Sequence, residues 1–199
     1  MALFAPQDPE FDARVRSSFA SLTLMRTIGA HLLRVAPGEV EIDLPFRADL
    51  TQHHGFLAAA VLTAIADVAC GYAAMTLMPA GASVLTIEYK VNFLSPAEGE
   101  RVLAGGRVVR PGRTVTVCSG DVVAVAEWHE KLVATMLATM ATVNLEGRDL
   151  PRTGGSAASA HDRRGGVHER SSSRPARPWC ACGGDGLRRR LRAFVRSTI

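Results

Sequence analysis

The stretch Gly55–Met78, GFLAAAVLTAIADVACGYAAMTLM, decides the fold. It is apolar around its whole helical circumference, with Asp67 as its one charge. Length alone would let such a run cross a bilayer. A central Asp costs roughly 2.5–3.5 kcal/mol on insertion scales, however. The run is also rich in Ala rather than Leu, and no second apolar span accompanies it to shelter the carboxylate. The reading is therefore a helix buried on all sides inside a soluble domain. Pro79, Ala80 and Gly81 close it, because proline cannot continue a helix.

Outward from this helix the period changes to two. Before it, Val40, Ile42 and Leu44 alternate with Glu39, Glu41 and Asp43 after the Pro37-Gly38 turn, so 28–46 reads as a hairpin. Still earlier, Phe11, Val15, Phe19 and Leu22 mark a short amphipathic helix over Pro9–Leu22. After it, Leu85, Ile87, Tyr89, Val91 and Phe93 alternate with Thr86, Glu88, Lys90 and Asn92. Strands at Arg101–Val109 and Thr114–Ala126 follow, the second with Gly120 as a candidate bulge. Lys131–Val143 fits a helix by its Ala and Met, and a closing strand by its alternation. The sum is an α+β fold in which an antiparallel sheet curls around one long helix.

The 199 residues are 47% hydrophobic and 21% charged, which suits one well-cored domain. The net charge of +4 hides two materials. Residues 1–147 hold 11 Lys+Arg against 15 Asp+Glu, a net of −4; residues 148–199 hold 12 Arg against 4 acids, a net of +8. The expected division is a folded domain over 1–147 and an Arg-rich, low-complexity tail over 148–199 that cannot offset its ordering entropy and is disordered. The arginines Arg188, Arg189, Arg190, Arg192 and Arg196 could bind nucleic acid or an anionic membrane by charge alone, but the composition also fits out-of-frame or read-through translation of GC-rich DNA, and neither partner is expected. Cys70 and Cys118 sit in apolar surroundings and read as buried free thiols. Met1–Asp12 lacks the pattern of a secretory signal, so the expected compartment is the cytoplasm.

Two places carry candidate chemistry. A lone carboxylate on an apolar helix must be paired, protonated or placed at a cleft, so Asp67 is a candidate general base or nucleophile. Ala59, Thr63 and Asp67 share one helical face, which sets the free amides of the helix start on the side of the carboxylate; such amides are the raw material of an oxyanion hole. Gln52-His53-His54-Gly55 precedes the helix. Two adjacent His suggest a metal, but no further ligands stand at recognisable spacing, so Gln52 or His54 is better read as orienting water or substrate. No metal or redox cofactor is expected.

QHHGFLAAAVLTAIADVACGYAA together with VLTIEYKVNFLSPA resembles the hotdog-fold acyl-CoA thioesterases of the PaaI-like (phenylacetic-acid-degradation) group, over roughly residues 20–143. The resemblance implies a set of site residues. The family opens its central helix with His-Gly-Gly, nine positions before an acidic residue; counting back from Asp67, that tripeptide reads Ala58-Ala59-Ala60. The family's Asn or Gln six positions earlier corresponds to Gln52, and its Ser or Thr on the next strand to Thr86. Asp67 matches the base or nucleophile, and the Ala59 amide matches the oxyanion donor. Arg107, Arg110 and Arg113 correspond to residues that meet the phosphates of coenzyme A, and His54 and Gly55 are expected to bind the substrate. By the same resemblance the site lies between two subunits of a homodimer or homotetramer, with Gln52 and Ala59 from one and Asp67 and Thr86 from the other. The function so implied is hydrolysis of an acyl-CoA thioester. The alternative is a catalytically weakened acyl-CoA-binding protein, because both glycines and the histidine are missing; a dehydratase ranks last, since it needs a histidine where Ala58 stands.

Overall fold

The computed structural model describes residues 4–127 and 129–144. The elements run α1 (Phe11–Ser21), α2 (Thr23–Ile28), β1 (His31–Ala36), β2 (Glu39–Pro45), a 3-10 turn (Ala48–Leu50), α3 (Ala59–Met75), β3 (Ala82–Phe93), β4 (Arg101–Arg110), β5 (Val115–Ala126) and β6 (His129–Asn144). The strands form one sheet in the order β1-β2-β4-β5-β6-β3, every neighbour antiparallel. One face of this sheet wraps α3, and the core lies between them: Leu62, Ile65, Ala66, Ala69 and Cys70 of the helix meet the inward side chains of the strands. The expected α+β architecture is the observed one.

Side-chain size explains the close fit. Gly106 of β4 and Gly120 of β5 are register partners. A Cβ on Gly106 would overlap the Ala69 backbone, and one on Gly120 would lie 2.8 Å from Cys70 Sγ. These two glycines let the helix settle onto the sheet at backbone contact. Gly120 is thus a point of close approach and not a bulge; the irregularity of β5 against β6 falls between Val122 and Val123.

The far end of α3 is held from outside. Arg14 on α1 donates from Nη2 to the carbonyls of Met75 and Met78, each at 2.9 Å, and from Nη1 to that of Pro79 at 2.7 Å. Asp8 orients the guanidinium through Nε at 3.1 Å. The last carbonyls of a helix lack intrahelical partners, and this cation supplies them.

Four further details differ from the sequence reading or settle what it left open. The chain between Leu22 and the hairpin forms the six-residue helix α2, and α3 starts at Ala59 rather than Gly55. Lys131–Val143 is strand, inside β6, because pairing with both β5 and β3 overrides the helix preference of its Ala and Met. The alternation of β3 breaks at a bulge between Thr86 and Glu88. Thr86 pairs with Met140 and Tyr89 with Ala138, both on the helix side, so Leu85 and Tyr89 point to opposite faces.

No helix among the described residues is long and apolar enough to cross a membrane. The expected tail over 148–199 lies outside the described residues.

Candidate active site

The β3 bulge aims Thr86 at α3. Thr86 Oγ1 donates to Asp67 Oδ1 at 2.7 Å and also lies 3.5 Å from Met140 Sδ. A strictly alternating strand with Tyr89 and Val91 inward would have turned Thr86 to the outer face, so the extra residue is what joins the two. Asp67 is half-buried, and its Oδ2 has no hydrogen-bond partner among the described residues.

The second group stands at the start of α3. Gln52 opens a tight loop: its N–H donates to the Phe56 carbonyl at 2.8 Å, its carbonyl accepts from Gly55 N–H at 2.9 Å, and its Oε1 accepts from His54 N–H. Gly55 takes φ +84°, the left-handed conformation that this turn requires. Ala58 caps the helix without a side-chain bond, and its own N–H is taken by the Leu50 carbonyl at 3.0 Å. The N–H groups of Ala59 and Ala60 have no acceptor among the described residues. A cavity of ≈ 400 Å³ opens here, with Gln52 and Ala59 on its wall beside Phe56, Leu62, Phe93 and Leu94. Phe56, beside the Gln52–Gly55 loop, is legible in the sequence as a pocket side chain; Leu62, Phe93 and Leu94 are not singled out there, and Phe93-Leu94, directly before Ser95-Pro96-Ala97, is the available signal.

The two groups do not meet within one chain. Ala59 and Asp67 are eight residues apart on one helix, about 12 Å at 1.5 Å per residue. One chain therefore carries two separated halves: a donor end with a cavity, and a carboxylate held by a threonine.

The remaining candidates disperse. His54 is exposed, its ring 3.9 Å from that of His53, and neither it nor Gly55 lines the cavity. Arg107 lies on the sheet face away from α3 and pairs with Asp121 at 3.8 Å. Arg110 ends β4, exposed, while Arg113 lies in the following turn at the edge of a different cavity. No group of three or more His, Cys, Asp and Glu among the described residues could hold a metal.

Known proteins share this fold. The thioesterase superfamily model matches residues 54–126, a span that holds Asp67, Thr86 and the start of α3. A thioesterase family protein of Silicibacter pomeroyi has a structure similar to this one, with TM-score 0.66 and 46% identity over 67% of this chain and 98% of that one. The chain belongs to the thioesterase superfamily. Within it the fold is the hotdog fold of the PaaI-like thioesterases: the PaaI protein from the phenylacetic acid degradation operon of E. coli superimposes with TM-score 0.61 over 67% of this chain and 94% of its own, at 16% identity. A protein of Halobacterium salinarum provisionally named an esterase is 33% identical over 113 residues, 52% of this chain and 72% of the relative. Thioester hydrolysis is the general chemistry of this superfamily.

Proposed function

We propose that this thioesterase-superfamily protein hydrolyses acyl-CoA thioesters at a site shared between two copies of the chain. The observation that supports it is the 2.7 Å hydrogen bond from Thr86 to Asp67. It fixes one carboxylate oxygen and leaves the other to accept a proton from water. In this reading Asp67 Oδ2 takes that proton as the water oxygen bonds to the thioester carbonyl carbon. The carbonyl oxygen, now anionic, is held by the Ala59 N–H of the second copy. The carbon–sulfur bond then breaks, the departing thiolate takes the proton from Asp67, and free acid and CoA leave. Direct attack by Asp67, through an anhydride that water then opens, needs the same residues. Gln52 lines the cavity at Ala59 and positions the carbonyl or the water, next to the loop of His54 and Gly55. Arg107 and Arg110 are the guanidinium groups left for the coenzyme's phosphates. The donor end and the carboxylate, about 12 Å apart in one chain, become one site when two helices lie antiparallel.

A specific observation favours the second reading, an acyl-CoA-binding protein with little turnover. Ala58 has neither imidazole nor free N–H, and the Gln52 oxygen is engaged by the His54 amide. One assay separates the two. An acyl-CoA panel with free-thiol detection should show turnover by the native chain. Negligible native turnover that appears once Ala58→His, Ala59→Gly and Ala60→Gly are combined would establish the binding protein instead.

A further inference from the structure

The end of α3 remote from Ala59 borders a second cavity, of ≈ 310 Å³. Leu77, Met78, Pro79 and Pro111 form its apolar side, and Arg113, Thr116 and Thr142 its polar side; no carboxylate lines it. Three carbonyls on its apolar side are already engaged. Arg14 takes the carbonyls of Met78 and Pro79, and Gln7 Nε2 donates to that of Leu77 at 3.0 Å. The donors are not. Thr142 Oγ1 is buried without a hydrogen-bond partner. Its backbone N–H donates to the Thr114 carbonyl at 2.9 Å, which fixes it beside the turn carrying Arg113. Thr116, 3% exposed, accepts from Gly112 N–H at 3.4 Å and keeps its own proton to give. Arg113 forms no ion pair among the described residues.

A buried hydroxyl left unpaired costs about 1–3 kcal/mol, so this wall needs a guest. A donor-rich, carboxylate-free end selects an anion, and the opposite wall selects an apolar body. The volume equals that of about ten waters at ~30 Å³ each, room for a short-chain or single-ring acid. We propose that this cavity binds a small carboxylic acid as its anion, the carboxylate bonded to Arg113 and Thr142 and the hydrocarbon against Leu77, Met78 and Pro111. Arg113 thus serves this cavity rather than coenzyme A. Ala74 on its wall is seven residues past Asp67, about 10 Å along the helix, so the guest leaves the carboxylate free. Such an acid is also the product class of the proposed hydrolysis; that link rests on the thioesterase reading, and the binding does not.

Calorimetric titration of the full chain with hexanoate and with benzoate tests this, with hexanamide and inorganic phosphate as controls. At least one of the two acids should bind saturably, while the amide and phosphate do not. Thr142→Val, which keeps the shape, and Arg113→Gln should each weaken binding by at least about tenfold, the weight of one charge-assisted bond. Asp67→Asn should leave it unchanged. Absence of binding by both acids, equal binding by phosphate, indifference to Thr142→Val and Arg113→Gln, or loss in Asp67→Asn would overturn the proposal. A melting temperature of the ligand-free Thr142→Val chain at or above the native value excludes a folding artefact. The thioesterase reading fails separately, by turnover that survives Asp67→Asn.

Discussion

Asp67 and Thr86 are joined by one hydrogen bond, yet in the proposed mechanism they do different things. The carboxylate moves a proton and the hydroxyl orients it. Asp67→Asn keeps the shape and removes the base, so kcat should fall by about 10²–10⁴, with the thermal melt little changed. Thr86→Val removes only the bond and should lower kcat by about tenfold with KM little changed, an effect of about 1.4 kcal/mol; Thr86→Ser should restore most of it. Steady-state kinetics with free-thiol detection read all three. Equal loss in Thr86→Val and Thr86→Ser would assign the threonine to packing instead.

At the scale of elements, α3 and the sheet meet through the absence of side chains. Gly106→Ala forces a Cβ into the Ala69 backbone, and backbone cannot rotate away. The expected loss is about 1–3 kcal/mol or more, read as a lower urea midpoint at unchanged slope. Gly105→Ala next to it, where a Cβ meets nothing within 4 Å, is the control. The helix also locates the symmetry axis of the proposed dimer. If Ala59 of each copy faces Asp67 of the other, the residue midway between them, Thr63, must meet its own counterpart. Thr63 already bonds the Ala59 carbonyl at 2.9 Å. In a full chain with Cys180 and Cys182 replaced by Ser, Thr63→Cys should cross-link through a short bis-maleimide more efficiently than Ala60→Cys or Val68→Cys. A maximum at either flanking position would shift the axis by a turn.

These elements differ in how far the sequence alone revealed them. The all-round apolar run and the period-two segments place the long helix and most strands, because burial on one face or on all faces leaves a side-chain pattern. The bulge at Ile87 leaves none: an extra residue in a strand changes which way later side chains point without changing their order. The carboxylate–threonine pair was accordingly legible only by resemblance. Arg14 was not legible at all, since a cation that caps carbonyls more than sixty residues away looks like any surface arginine. The cavity residues Phe93 and Leu94 were hidden for the opposite reason, being apolar residues where the core also needs them.

At the scale of the whole molecule, β3 is an edge strand twelve residues long, with Leu85, Ile87, Tyr89 and Phe93 all exposed. A long apolar edge of this kind is covered in working proteins, and a second copy is the cover proposed here. The shared site makes a sharp demand. Gln52→Ala and Asp67→Asn should each be nearly inactive as homodimers. In their mixed dimer one site recovers an intact Gln52 and an intact Asp67, and the other has neither. After subunit exchange at equal concentrations, activity should return to about a quarter of the native value. No recovery would mean that each chain works alone.

Cys70 and Cys118 are both buried in the core, where burial raises the thiols, Cys118 from 9.0 to about 12 and Cys70 further. Because the folded state holds these protons more tightly than the unfolded state, their contribution to stability is full below about pH 9 and falls as pH rises toward 12. Alkaline melts should therefore drop from about pH 9 upward, and Cys118→Ser with Cys70→Ala should flatten that slope. Near neutrality the same burial keeps both sulfurs almost wholly un-ionised, and only the thiolate reacts. Their alkylation then waits for the domain to open, so the slow labelling rate is a stopwatch for the native state, wound by the two glycines that press the helix onto the sheet.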